Sequence, residues 1–341
     1  MKQTKVLVTG ATGFLGRNVV RRLVEEGYPV RALARRKSGT DALKIPGLDI
    51  AFGDLGDAVS IAAAVKDVQV VVHAAAGTSG TAQDSDTATI LGTRNVLEAC
   101  RANHVEKLVY ISSLSVYEVA GYAENELVTE EARLERFPSH RGPYSAAKLH
   151  AENLVTGAAG RGGCRAVVLR PGTLYGPGAK IYTNMMGVSF ARRIFLVFGS
   201  EESALPLVHV DNVADSIVAC IDNSAADNQV FNVVDRELIT KKMYIDRLVK
   251  PLYSKATVIY CPMPILLVLT WLQEKLLPII GKRPFLTVYR LRSSQRRVRY
   301  DTSKIEKAIG WRSRIRFEEG AEQVIRAHRQ AADAGAPHAL P

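Results

Sequence analysis

The sequence predicts an α/β fold: a doubly wound parallel sheet followed by a smaller, mainly helical C-terminal lobe. Two observations predict this fold class. Short apolar runs rich in β-branched residues alternate with stretches of helical periodicity over the first 170 residues. A glycine-rich turn also separates the first apolar run from the first helical stretch. Crossover helices bury both faces of a parallel sheet, so near-continuous apolar runs between helices are typical of its strands.

Six apolar runs are the predicted strands of the first half of the chain: residues 6–8, 30–33, 50–52, 70–72, 108–111 and 166–169. Helices are predicted after the first run and after the fourth. Further along, residues 208–210 are predicted to return towards the sheet, with Asp211 or Asn212 capping the next helix. Residues 231–234 are predicted to form one more strand.

The last third of the chain, from residue 238 to about residue 327, is predicted to be mainly helical. Within it, Ser303 and Glu306 have the spacing of a capping box, which predicts a short helix that ends near Gly310. We expect the chain to divide into three parts. The sheet domain comprises residues 1–170, and residues 208–235 return to it. The C-terminal lobe comprises residues 171–207 and 236–330, and residues 331–341 form a flexible tail.

Length, charge and cysteine content narrow the class of protein. A chain of 341 residues with 47% apolar side chains suits one large α/β unit with an appended lobe. Its net charge of +11 favours anionic partners, which include nucleic acid, lipid headgroups and phosphorylated small molecules. The four cysteines lie far apart, which predicts free thiols and no metal site. The first apolar run is too short for a signal peptide, so we expect a cytoplasmic protein.

The glycine-rich turn is the first candidate site. Glycines recur at every third position from Gly10 to Gly16, directly between a predicted strand and a predicted helix. Such a turn lets the backbone approach a pyrophosphate, while amides at the start of the helix face the anion. A purely structural turn is the alternative. The residues expected to contact a dinucleotide here are Gly10, Thr12, Gly13, Phe14, Leu15 and Gly16.

The end of the second predicted strand indicates which dinucleotide is bound. NAD enzymes usually carry an acidic residue there for the ribose 2′-hydroxyl. This chain instead has Arg35, Arg36 and Lys37, and guanidinium groups suit a 2′-phosphate. NADP(H) is therefore favoured, with NAD(H) as the alternative and a solvated basic turn as the non-functional explanation. After the third strand, Asp54 and Leu55 are expected either to border the adenine or to form a surface turn.

A second group of residues could supply acid–base chemistry. Tyr144 and Lys148 are four residues apart, which places them on one face of a helix. A tyrosine has a reference pKa of about 10, and a neighbouring ammonium would shift that pKa towards working pH. Ser112 and Ser113 follow a predicted strand, where catalytic groups collect in open sheets. The structural alternatives are a core tyrosine and a solvated lysine.

These motifs together resemble the extended short-chain dehydrogenase/reductase superfamily, over roughly residues 4 to 325. The resemblance implies a Rossmann-type domain in which Tyr144 is the proton donor or acceptor, Lys148 its partner and Ser113 the hydroxyl that orients the substrate. His73 is expected to form part of the cofactor wall or to be a satisfied core histidine. The blocks that carry the resemblance are residues 9–16, 72–76, 110–113, 144–148, 170–178 and 209–214. By the same resemblance, the cofactor-bordering residues also include Ala74, Ala75 and Pro171.

Two enzyme branches of this superfamily predict different substrates. Nucleotide-sugar epimerases and dehydratases resemble the first half, but their diphosphate-binding stretch is replaced here by the apolar residues 204–208. Residues 281–287, 298–301 and 309–311 look more like the 3β-hydroxysteroid dehydrogenase and dihydroflavonol reductase branch. We therefore expect hydride transfer at a carbinol or carbonyl carbon of a largely apolar, sterol-like or other hydroxy or keto substrate. Epimerisation and a non-catalytic NADP-binding regulator are the alternatives.

The most apolar stretch, residues 264–280, predicts an amphipathic or buried helix that is too interrupted to span a membrane. It could line an apolar pocket or lie on a bilayer as a peripheral contact, and a core or dimer helix is the alternative. A basic stretch at residues 290–299 could contact lipid headgroups or a substrate phosphate, or be solvated. No nucleic-acid-binding module is recognisable. The superfamily resemblance implies a homodimer.

Overall fold

A seven-stranded parallel sheet forms the centre of the molecule, in the order β13-β7-β5-β4-β1-β2-β3. The structure is a computed structural model that describes residues 2–35, 40, 43–76, 87–159, 164–183, 185–282 and 284–333, without the side chains of residues 87 and 88. The strands of this sheet are β1 Val6–Thr9, β2 Val30–Ala34, β3 Asp49–Phe52, β4 Val70–His73, β5 Lys107–Ile111, β7 Arg165–Pro171 and β13 Val230–Val233. The six strands predicted in the first half of the chain and the one predicted at residues 231–234 are therefore confirmed, because all seven lie in this sheet. The doubly wound fold class is confirmed as well.

Side chains of each strand alternate between two apolar layers, because successive residues of a strand point to opposite faces. In β1, Val6 and Val8 pack into the layer that includes Leu23 and Ile217, while Leu7 packs into the layer on the other face. All three β1 side chains are fully buried. Since helices cover both faces, the strands need no polar side, which explains the continuous apolar runs of the sequence.

Twelve α-helices are present among the described residues, and their lengths differ widely. Their bounds are Phe14–Glu25, Ala58–Val65, Gly92–Ala102, Pro138–Arg141, Pro143–Ala158, Val210–Ile221, Lys241–Tyr244, Lys250–Leu252, Met263–Ile279, Val288–Ser294, Ser303–Ile309 and Phe317–Asp333. Short 3-10 or π turns occupy Thr87–Leu91, Leu114–Val116, Ser224–Ala226 and Ile245–Val249. Along the described part of the chain, no helix combines the length and the apolarity that crossing a bilayer requires.

The remaining strands build the C-terminal lobe and its connections to the sheet. They are β6 Glu126–Val128, β8 Thr173–Tyr175, β9 Gly187–Phe190, β10 Ile194–Phe198, β11 Ala204–Leu205, β12 Leu207–His209, β14 Ile239–Thr240, β15 Thr257–Cys261 and β16 Val298–Tyr300. A separate apolar cluster that includes Tyr175, Phe195 and Phe317 holds the lobe together. The lobe is thus less purely helical than predicted, because β15 and β16 pair with strands far away in sequence.

Residues 208–210 return towards the sheet: β12 pairs with β8 in a separate two-stranded sheet, and Val208 and Val210 pack into the same apolar layer as Val6 and Val8. Two predictions about helix caps prove wrong. The helix Val210–Ile221 is capped by His209, whose Nδ1 accepts a hydrogen bond from the Asp211 amide at 3.3 Å, so neither Asp211 nor Asn212 is the cap. Ser303 forms no capping box: it lies inside its helix, and its amide donates to Asp301 at 2.9 Å. The left-handed Gly310 does end that helix.

Candidate active site

A continuous cavity of about 1310 Å³ runs from the carboxyl ends of the central strands into the C-terminal lobe. Gly10 follows β1, Ala74 follows β4, Ser112 follows β5 and Pro171 ends β7, and all four line this cavity. Strand order reverses between β1 and β4, which is the place where open α/β sheets bind ligands. The fold therefore brings the separate sequence motifs to a single cleft.

The glycine turn fits a dinucleotide for steric reasons that the structure makes explicit. Gly10 has a φ of +68°, and a Cβ there would lie 2.8 Å from the Ala75 Cα. A Cβ on Gly16 would lie 2.0 Å from the Gly10 carbonyl oxygen. No side chain caps the following helix at Gly13, and residues 13–15 line the cavity. The first helical turn can therefore direct its amides to an anion such as a pyrophosphate.

The residues predicted to bind the adenosine end lie beside this turn. Arg35, at the end of β2, lines the cavity, whereas Arg36 lies outside the described residues. Asp54 and Leu55 also line it, and the Asp54 carboxylate accepts a hydrogen bond from the Gly56 amide at 2.8 Å. The Asp54 side chain thus holds its own turn while bordering the cavity, so the two explanations offered for it are compatible.

His73 is a satisfied core histidine. Its side chain is fully buried. Its Nδ1 lies 2.7 Å from the Thr9 hydroxyl, and its Nε2 lies 3.0 Å from the Thr93 hydroxyl. Burial lowers the pKa of His73 to about 3, with the nearby Lys148 acting in the same direction. The ring is therefore neutral at physiological pH, and it joins β1 to the helix Gly92–Ala102 behind the cavity wall.

Tyr144 and Ser113 are neighbours in the cavity. Tyr144 lies in the first turn of the helix Pro143–Ala158, is 38% exposed, and lines the cavity together with Ser113. The Ser113 hydroxyl accepts from the Ser115 amide at 3.1 Å, which fixes its position at the start of a 3-10 turn. The surrounding protein desolvates Tyr144 and raises its pKa, and the nearby Ser113 hydroxyl opposes that rise.

Lys148 lies one helical turn beyond Tyr144 and is only 3% exposed. Its Nζ donates to the Ile111 carbonyl oxygen at 2.6 Å. Burial lowers the pKa of Lys148 to about 7, while the charge of Glu152 opposes that shift. Desolvation raises the pKa of Tyr144, and the lowering expected from the Lys148 ammonium is not seen. A bound anion near Lys148 would favour its charged form.

Ser112 and Ser113 have different surroundings although they are adjacent. The Ser112 hydroxyl donates to the Glu152 carboxylate and is 2% exposed. Glu152 in turn receives Arg170, whose Nε lies 3.1 Å from its Oε1. Arg170 also donates to the Tyr117 hydroxyl at 2.6 Å. Ser112 therefore belongs to a buried network beneath the site, and Ser113 is the serine whose hydroxyl lies near Tyr144.

This network was not predicted from the sequence. Glu152 and Arg170 are 1% and 4% exposed, so their charges are isolated from water and compensate each other. The sequence did contain a signal for Glu152: it lies four residues after Lys148, so the helix face that carries Tyr144 and Lys148 continues to a carboxylate. Because Arg170 directly precedes Pro171, the network connects the helix Pro143–Ala158 to the end of β7.

The far half of the cavity is lined by both apolar and cationic side chains. Its apolar wall includes Leu174, Leu205, Pro206, Leu286 and Val298. Its cations are Arg141, Lys241, Arg290, Arg296 and Arg297. The basic stretch at residues 290–299 thus contributes three side chains to the cavity. The helix Met263–Ile279, which was one candidate for an apolar pocket wall, contributes none.

One of these cations, Lys241, is buried and has neutral partners. Lys241, which the sequence analysis missed, is 3% exposed and donates to the Phe198 carbonyl and to Gln295 Oε1. Burial and the charge of Arg297 lower the pKa of Lys241 to about 8. Burial also lowers the pKa of Arg141, but its Nε lies 3.9 Å from the Glu135 carboxylate. A buried cation without a close counter-ion, such as Lys241, gains from an anionic ligand, because ion pairing offsets its desolvation.

The described residues include no group of three or more His, Cys, Asp or Glu side chains arranged to hold a metal ion. The four cysteines are free thiols. The chemistry that this cavity can perform with its own side chains is therefore proton transfer at Tyr144, hydrogen bonding at Ser113 and charge stabilisation by Lys148 and the five distal cations.

Comparison with known proteins identifies the family. The model of the NAD dependent epimerase/dehydratase family matches residues 6–233, more than half of the 341 residues. The chain belongs to this family. The resemblance inferred from the sequence motifs and the prediction of an enzyme are thereby confirmed. Membership in the NAD-dependent epimerase/dehydratase family makes the chain a nicotinamide-dependent oxidoreductase or epimerase.

Individual relatives of this family differ in their named activities. A UDP-glucose 4-epimerase of Vibrio cholerae is 28% identical over 340 residues, which cover 96% of each chain. A 2-alkyl-3-oxoalkanoate reductase of Stenotrophomonas maltophilia (strain K279a) is 34% identical over 212 residues, 62% of this chain and 63% of the relative. The crystal structure of gox2253 superposes on this chain with a TM-score of 0.81 and a sequence identity of 24%. The match covers 96% of this chain and 98% of the gox2253 chain, which shows a shared fold.

Proposed function

We propose that the chain is an NADP(H)-dependent oxidoreductase acting at a carbinol or carbonyl carbon. The observation that carries this proposal is that Ser113, Tyr144 and Lys148 line the same cavity as the glycine turn. Two neighbouring hydroxyl groups, those of Ser113 and Tyr144, can hold one substrate oxygen between them. The dinucleotide, when bound, supplies or accepts the hydride.

The side chains have separate roles in this proposal. Ser113 donates a hydrogen bond to the substrate oxygen and keeps it next to the Tyr144 hydroxyl. Tyr144 gives its phenolic proton to that oxygen during reduction and takes it back during oxidation. Lys148, held by the Ile111 carbonyl, stabilises the phenolate that forms when Tyr144 loses its proton. Lys148 thus acts on Tyr144 and not directly on the substrate. Its own charged form is favoured most while the Tyr144 phenolate is present.

The preference for NADP(H) rests on Arg35. The glycine turn borders the cavity where a dinucleotide would lie, and it packs so tightly that a Cβ at Gly10 or Gly16 would collide with the backbone of Ala75 or Gly10. Arg35 lines the same cavity at the end of β2, where an acidic residue would be expected for NAD(H). A guanidinium at this position can bind a 2′-phosphate through paired hydrogen bonds.

Replacement of Arg35 by alanine should raise the dissociation constant for NADPH roughly 10- to 100-fold, the effect of losing charge-assisted hydrogen bonds. The dissociation constant for NADH should change less than about twofold, since NADH lacks the 2′-phosphate. Fluorescence titration of both dinucleotides measures this difference. Arg101→Ala, which removes an exposed arginine remote from the cavity, is the matched control. Equal NADPH affinity in R35A and wild type would contradict the NADP(H) assignment.

For the substrate, we propose a hydroxy or keto compound with an apolar body and an anionic group. The apolar wall around Leu174 and Leu205 supports the apolar body that the sequence predicts. The five distal cations add a requirement that the sequence-based expectation of a largely apolar substrate lacked. The name of the Stenotrophomonas relative describes a keto acid with alkyl chains, which combines both properties.

A second candidate is epimerisation of a nucleotide sugar, because the same cations could bind a diphosphate. The Vibrio cholerae relative carries such a name. Against it stands the apolar stretch at residues 204–208, which lines the cavity through Leu205 and Pro206. Measured turnover and thermal protection with a 2-alkyl-3-oxoalkanoate, with UDP-glucose and with a neutral sterol ketone separate the candidates. The keto acid should be reduced best; preference for UDP-glucose would favour the epimerase, and preference for the sterol would contradict an anionic substrate.

Replacement of Lys241 by methionine tests the anionic group. The KM for the keto acid should rise roughly tenfold or more, since an ion pair to a buried cation is lost. The KM for its neutral methyl ester should stay within about threefold of the wild-type value, because the ester does not use that charge. Lys242→Met is the control, because Lys242 is exposed, pairs with Glu201 and lies outside the cavity. An equal rise for acid and ester would point to a purely structural role of Lys241.

A further inference from the structure

The helix Met263–Ile279 turns several polar side chains towards the protein, beside the buried Leu266. Thr270 is 4% exposed. The Gln273 amide donates to the Leu286 carbonyl, and the Glu274 carboxylate accepts from the Val288 amide at 2.9 Å. These contacts fix the segment that follows the helix. The orientation is the reverse of an ordinary surface helix, whose apolar stripe faces the core.

The apolar side of the same helix faces outward. Trp271 is 53% exposed and Ile279 is 78% exposed. The other large apolar side chains exposed here are Ile265, Val268, Leu269, Leu272, Leu276, Ile280 and Phe285. Single exposed apolar residues are ordinary, but a contiguous apolar patch on one element marks an interaction surface. Burial of such side chains against an apolar phase is favourable.

The three-stranded sheet β9–β10–β15 presents a second apolar face. Its pairing places Val188, Leu196 and Ile259 in one row across the sheet and Phe190 beside Ile194 in the next. Among them Val188, Phe190, Ile194 and Ile259 are 40–57% exposed, whereas Phe195 and Val197 on the opposite side are buried. Strand β15 ends at Cys261, directly before the helix, so this sheet face adjoins the helix start.

Positive charge is concentrated in and after this helix. Residues 263–299 contain eight Lys and Arg and one Asp or Glu, a net charge of 8 − 1 = +7 out of +11 for the whole chain. Among them Lys275, Lys282 and Arg292 are exposed. The exposed apolar surface is therefore accompanied by cations, a combination that matches the headgroup region of an anionic bilayer, where apolar side chains enter the acyl boundary and lysines meet phosphates.

We propose that the exposed face of the helix Met263–Ile279, together with the outer face of β9–β10–β15, binds the surface of an anionic lipid bilayer. Trp271 is an aromatic side chain of the kind that collects at this depth of a membrane. Leu286 and Arg290, which follow the helix, line the cavity, so the bound surface would lie next to the cavity mouth. Three of the eight cations, Arg290, Arg296 and Arg297, line the active-site cavity, so the exposed Lys275, Lys282 and Arg292 are the cations that would meet the lipid. The proposal does not depend on the reaction.

A second copy of the chain is the less suitable occupant. A two-fold contact through the same face would bring the exposed cations Lys275, Lys282 and Arg292 of both copies close together. Like charges at close range oppose association, whereas an anionic lipid surface neutralises them. The charge distribution thus favours lipid over self-association.

Flotation of the full chain with vesicles tests the proposal. Wild type should partition at least about tenfold more strongly to vesicles of phosphatidylcholine and phosphatidylglycerol in equal parts than to pure phosphatidylcholine, and high salt should reduce the difference. The triple variant Leu269→Gln, Trp271→Gln and Leu276→Gln should lose at least about tenfold of that partitioning, since three apolar side chains no longer enter the bilayer.

The matched control changes three equally exposed apolar residues elsewhere: Phe52→Gln, Val59→Gln and Leu238→Gln. It should bind vesicles like wild type. Equal NADPH affinity of both triple variants verifies that they are folded. The proposal is overturned if wild type does not bind anionic vesicles, if the helix variant binds as well as wild type, or if sedimentation shows a dimer that the helix variant dissociates.

Discussion

Replacing Tyr144 with phenylalanine should reduce kcat about 10²- to 10⁴-fold, the usual contribution of a positioned general acid or base. The change removes the phenolic proton while keeping the ring, so the packing of the helix Pro143–Ala158 should persist. Binding of NADPH should change less than about threefold, because the glycine turn and Arg35 that support it are untouched. Steady-state turnover of the best keto substrate and an NADPH titration measure the two quantities.

The Tyr144 effect should exceed that of any tyrosine remote from the cavity. Tyr260→Phe is a suitable control, since Tyr260 lies in β15 and does not line the cavity. Its kcat should stay within about twofold of wild type. If Y144F retained more than about a tenth of wild-type kcat, Tyr144 would not carry the proton, and the mechanism based on Ser113, Tyr144 and Lys148 would be wrong.

Replacing Glu152 with glutamine should lower the free energy of unfolding by about 3–5 kcal/mol, the cost of leaving one partner of a buried ion pair without its counter-charge. Glu152 is 1% exposed and accepts from Arg170 through both carboxylate oxygens. The loss leaves the Arg170 guanidinium desolvated without a counter-charge, with the neutral glutamine amide oxygen, the Tyr117 hydroxyl and the Glu130 carbonyl as its acceptors. Urea denaturation followed by circular dichroism measures the change.

Arg165, which lies on β7 like Arg170, forms an exposed ion pair that can be compared with the buried one. Arg165 and Glu106 lie 3.3 Å apart, with 45% and 61% of their side chains exposed. Glu106→Gln should therefore cost no more than about 1 kcal/mol, because water screens that pair. A similar loss for E106Q and E152Q would show that burial of the Glu152–Arg170 pair adds nothing. If E152Q kept wild-type activity at low temperature, the network would support the site through stability alone.

The sheet and the glycine turn were predictable because their signals are local. A buried parallel strand needs an apolar run, and Val6-Leu7-Val8 serves both faces at once. Gly10 and Gly16 are required by contacts within their own turn and with Ala75, so their spacing is visible in the sequence. Tyr144 and Lys148 were recognisable for the same reason, since both lie on one short stretch of helix.

The substrate half of the cavity depends on contacts between distant segments. Arg141, Lys241 and Arg297 come from three parts of the chain, and only the folded lobe places them around one space. Strands β15 and β16 were missed because each pairs with a partner more than 50 residues away. Periodicity alone could not show which face of the helix Met263–Ile279 is buried, because its polar residues pair with the segment that follows it.

A crystal structure of the chain with NADP⁺ would show whether the glycine turn delivers a nicotinamide ring to Tyr144. We expect phosphates on the amides at residues 13–15, the 2′-phosphate at Arg35, and the nicotinamide ring in the part of the cavity lined by Ser113, Tyr144 and Lys148. A nicotinamide ring directed away from Tyr144, or a dinucleotide bound outside this cavity, would contradict this expectation.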